Sequence, residues 1–70
     1  MPRVWPDAAA LAALREVVAL GFYRGILNQL ETIEARQPGC AALVAELRTL
    51  ARQFQFETMG RILSEGPSAP

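Results

Sequence analysis

Apolar residues recur at helical spacing along almost the whole chain, and breaks at Gly21, at Pro38-Gly39 and near residue 55 divide them into four segments. In the first, Pro6-Asp7 reads as a helix start, with Asp7 as N-cap or in the first turn, where its charge suits the helix dipole. The Ala-rich run that follows favours helix, and Leu11, Leu14 and Val18, with Val17 beside them, form one stripe. Gly21 ends it. A second helix is predicted over residues 22–36, because Tyr23, Ile26, Leu27, Leu30 and Ile33 recur on one face while Arg24, Asn28, Glu31 and Ala35 lie opposite. A third, over 40–53, carries Leu43, Val44, Leu47, Leu50 and Ala51, then Phe54, inward; a fourth, over 56–64, buries Phe56, Met59, Ile62 and Leu63. No strand is expected.

Laying the second half on the first at an offset of about 33 residues pairs Leu14 with Leu47, Arg15 with Arg48, Val17 with Leu50, Val18 with Ala51, Tyr23 with Phe56, Ile26 with Met59 and Leu30 with Leu63. A period in the low thirties suits a tetratricopeptide-like helical hairpin stacked on a copy of itself, although any two Ala/Leu-rich helical pairs share some of this pattern. Either way the expected fold is all-α, a four-helix antiparallel bundle of two hairpins. Two hairpins are too few for a free-standing solenoid, which leaves a closed bundle or a capped fragment. The predicted organisation is a lead over 1–6, one helical domain over 7–65 (hairpins 7–37 and 40–65) and a tail over 66–70.

Composition narrows the chemistry. The 70 residues carry seven Arg and no Lys against seven acidic residues, so no net basic field draws in nucleic acid. Histidine is absent, which removes the commonest general base and metal ligand, and no catalytic residue, metal or cofactor is expected. The one cysteine cannot form an internal disulfide, and no apolar run is long enough to span a membrane, so a cytoplasmic location is expected. In the first turn of the third helix Cys40 could be activated toward thiolate, or it could pack as a small hydrophobe. Arg48 and Arg52, one turn apart, could grip an anion or form a solvated face.

The segment from Leu14 to Leu63 resembles a helical accessory region at the C-terminal end of some bacterial sensor and hybrid histidine kinases. The matching positions are Leu14, Val17, Gly21, Ile26, Leu30, Ile33, Pro38, Leu47, Leu50, Ala51 and Phe54; Phe22 departs from the Asp that the pattern carries after the turn glycine, and the fourth helix departs from it in carrying Gly60. The resemblance implies a non-catalytic regulatory module of a two-component signalling protein. Its expected function is protein interaction or dimerisation, with Trp5, Phe22, Leu27 and Val44 as residues left partly outside one small core. The alternative is a ligand-sensing bundle that holds a small apolar molecule among Tyr23, Phe54 and Met59.

Overall fold

The computed structural model describes residues 4–66, so most of the lead and tail expected at 1–6 and 66–70 lies outside the described residues. The chain is all-helical: α1 (Ala8–Leu20), α2 (Tyr23–Arg36), a 3-10 turn (Pro38–Cys40), α3 (Ala41–Arg52) and α4 (Phe56–Ser64). Asp7 is the N-cap of α1, its side chain accepting the Ala10 N–H at 2.8 Å, which satisfies one of the donors a helix start leaves unpaired. Pro38 sits in the 3-10 turn, where a missing N–H costs nothing, and α3 therefore starts one residue later than its apolar spacing suggests.

Each helix packs on its neighbours in the chain, and α4 closes onto α1; among the described residues the backbones of α1 and α3, and of α2 and α4, stay further apart, with no Cα pair within 8 Å. A linear stack of two hairpins would leave the first and last helices apart. The contacts therefore select the closed form. The core comprises Leu11, Leu14 and Val18 of α1, Ile26, Leu30 and Ile33 of α2, Cys40, Leu43, Val44, Leu47 and Ala51 around α3, and Met59 and Leu63 of α4.

This core repeats internally. Shifting by 33 residues carries Leu11, Leu14, Val18, Ile26 and Leu30 onto Val44, Leu47, Ala51, Met59 and Leu63, every one of them buried, and Ile33 onto the buried Gly66. The pairing of the four α-helices has the same symmetry, since exchanging α1 with α3 and α2 with α4 leaves unchanged which of them are neighbours; the 3-10 turn, which packs on α2 and α3, has no counterpart. Both helix ends obey it too. At the end of α1 the N–H groups of Gly21 and Phe22 donate to Val18 and Val17 at 3.0 and 3.2 Å; at the end of α3 those of Phe54 and Gln55 donate to Ala51 and Leu50, both at 2.9 Å. These are two copies of one Schellman motif, which pairs the last carbonyls of a helix through a residue in left-handed conformation. That residue is Gly21 (φ 67°) in the first copy and Phe54 (φ 58°) in the second.

Candidate functional site

The left-handed backbone at Phe54 overturns its expected place in the core. A Phe at the end of a continued α3 would extend the buried stripe, but the reversal of φ swings its side chain outward, and it is 65% exposed. Its ring stands 5.3 Å from that of Tyr23 and 5.9 Å, edge-on, from that of Phe56, so it lies over the first residues of α2 and α4. Phe56, expected inside, is half-buried, as is Ile62. Phe22, in the other turn, is 57% exposed and rests on Gly25, where an added Cβ would meet the ring at 2.6 Å. Leu20, the last residue of α1, is 73% exposed.

Three of the four exposed large hydrophobics among the described residues thus lie in these two turns, the exception being Val4. The turns share one end of the bundle: an added Cβ on Gly21 would lie 3.7 Å from Phe56, and Phe54 meets Tyr23. The opposite end is closed by the chain's own lead. There the Asp7 N–H donates to Gln37 Oε1 at 3.0 Å, Val4 lies beside Gly39, and Trp5 packs over Gly66.

Of the four residues expected at an interface, only Phe22 stands clear of the core. Val44 is 1% exposed; as the internal twin of Leu11 it belongs to the buried stripe. Leu27 and Trp5 are half-buried and pack against the core. Of Tyr23, Phe54 and Met59, Met59 is fully buried, Tyr23 is half-buried and Phe54 is exposed.

A groove of about 480 Å³ runs between α1 and α4, lined by Arg15, Val18, Ala19, Phe56, Glu57, Gly60 and Ser64, and Phe56 joins it to the aromatic turn end. Arg15 fixes one end, its Nε and Nη2 donating to the Leu63 carbonyl at 3.1 and 2.7 Å. That carbonyl belongs to the last turn of α4 and also accepts the Gly66 N–H at 3.2 Å, so the guanidinium adds a second, charged donor there and complements the helix dipole. The twin residue Arg48 has no such carbonyl, because α2 continues past Leu30 to Arg36; it reaches the Glu34 carboxylate instead, at 3.5 Å. Periodicity alone did not show this bond of Arg15, although the Arg15/Arg48 pairing marks the position.

Cys40 closes the 3-10 turn rather than opening α3, and it is buried. Burial, and secondarily the charge of Asp7, push its thiol pKa above the ordinary value, the reverse of thiolate activation. Among the described residues no cluster of three or more acidic or cysteine side chains could hold a metal ion, and no helix is long and apolar enough to cross a membrane. The chain has no significant match among protein-family models, curated proteins or solved structures.

Proposed function

We propose that this chain is a non-catalytic protein-interaction module that docks through its aromatic turn end and the adjoining α1–α4 groove. The observation that carries this reading is Phe54. An L-residue in left-handed conformation costs roughly 1–2 kcal/mol, which Gly or Asn would largely avoid, and here the conformation presents a large ring to solvent. Exposed apolar surface gathered at one end of a small domain is the usual mark of a contact site. Aromatic side chains supply much of the energy at such sites. The resemblance to histidine kinase accessory regions supports placing the module in a bacterial two-component signalling chain, working in the cytoplasm through contact with itself or with another signalling domain.

Photo-crosslinking tests the reading. With p-benzoylphenylalanine in place of Phe54 or Phe22, irradiation of producing cells should give an adduct of discrete mass. The same residue in place of Glu31, exposed on α2, should give none. Equal adducts at all three positions, or none at any, would contradict a docking role for the turn end.

A further inference from the structure

The internal two-fold relation shows what the α1–α4 groove lacks. Shifted by 33 residues, its lining residues Arg15, Val18, Ala19, Phe56, Glu57, Gly60 and Ser64 become Arg48, Ala51, Arg52, Tyr23, Arg24, Leu27 and Glu31 on the α2–α3 face. There Leu27 is half-buried and packs against the core. Its twin, Gly60, leaves that place open: an added Cβ would find no atom within 4 Å. Glycine inside a helix is unfavourable relative to alanine, and the surrounding packing does not require it here.

The two faces differ elsewhere in the same sense. Arg52, Arg24 and Glu31 on the filled face correspond to Ala19, Glu57 and Ser64 on the open one. Gln53 corresponds to Leu20, which is exposed and follows directly on Ala19 in the groove wall. One of two pseudo-equivalent faces is charged and filled; the other is hollow, has fewer charges and carries an exposed leucine at its rim.

We propose that the missing side chain comes from a second copy of this chain, each copy inserting Leu20 over Gly60 of the other. This rests on the interaction-module reading and names its partner. The groove is charged oppositely toward its two ends, with Arg15 near the end of α4 and Glu57 near its start. A copy reversed about a two-fold axis sets the Arg15 end of one groove against the Glu57 end of the other, so charge as well as shape is self-complementary. Leucine is the group that the fold itself places at the equivalent site.

Sedimentation equilibrium up to about 1 mM, with helicity followed by circular dichroism, tests the proposal. The native chain should dimerise reversibly. Leu20→Glu and Gly60→Leu should each weaken the dimer at least tenfold while keeping helicity, and Gln53→Glu, at the twin of Leu20, should leave it unchanged. Gly60→Leu fills the gap from within, so its Tm should exceed that of Gly60→Ala by several degrees, on the scale of ~4–8 °C per kcal/mol for so small a domain. A monomer at every concentration would overturn the proposal while leaving crosslinks from Phe22 and Phe54 to a different protein intact. A dimer that survives both substitutions, or a Gly60→Leu chain no more stable than Gly60→Ala, would also overturn it.

Discussion

Gly21 and Phe54 hold the same backbone position in two copies of one turn, with φ angles of 67° and 58°, although one has no side chain and the other an exposed aromatic ring. Replacing each therefore has a different consequence. Gly21→Ala puts a Cβ into left-handed conformation and gains only an ordinary contact with the Phe56 ring at 3.7 Å, so it should cost about 1–2 kcal/mol in urea denaturation. Phe54→Gly relieves the same strain while losing two ring contacts, each worth ~0.5–1.5 kcal/mol, and should cost less than about 2 kcal/mol. A loss of ~3–5 kcal/mol at Phe54, the range for a buried Phe, would place it in the core after all.

The buried twins should behave alike. Leu14→Ala and Leu47→Ala each empty a fully enclosed site facing the same axis, and each should cost about 2–5 kcal/mol. In a domain of this size such a loss removes much of the total stability, so partial unfolding at 37 °C by circular dichroism is the expected readout. If one twin proved nearly neutral, the internal symmetry would not extend to energetics.

The arginine twins should differ. Arg15→Met breaks two charge-assisted hydrogen bonds to a partly buried carbonyl and should cost about 1–3 kcal/mol. Arg48→Met removes one long, solvent-screened ion pair and should cost no more than about 1 kcal/mol. Thermal unfolding of the two variants under identical salt separates the cases, and comparable losses would contradict the structural role assigned to Arg15.

Cys40 sets a pH dependence. Its folded thiol pKa lies above the unfolded value, so the folded state binds the thiol proton more tightly. This stabilising contribution is complete below the unfolded pKa, about 8.5, and is lost as pH rises through the folded pKa. Urea midpoints should therefore fall more steeply above pH 8.5 in the native chain than in Cys40→Ala. Parallel pH profiles would show that the thiol titrates alike in both states.

Helix number and most of the core were legible in the sequence because burial follows the i, i+3, i+4 spacing whatever the tertiary detail; Leu30, Leu47 and Met59 are examples. The turn end was not legible, because one dihedral decides it. A left-handed Phe54 turns outward a ring that helical continuation would bury. Val44 carried two expectations, inward on the stripe of the third helix and partly outside the core; the 33-residue offset, which makes it the twin of Leu11, agrees with the first, and the Leu27/Gly60 mismatch was visible in the same alignment. Arg15 needed the structure, since its acceptor lies 48 residues away.

The most direct measurement is a concentration series of ¹⁵N–¹H correlation spectra of the native chain, which reports both association and its location. Self-association through the turn end and the α1–α4 groove predicts concentration-dependent amide shifts at Ala19, Leu20, Phe56, Glu57 and Gly60, with Trp5, Gly39 and Arg48 unmoved. Shifts confined to the lead and the 3-10 turn, or spectra unchanged up to about 1 mM, would contradict it.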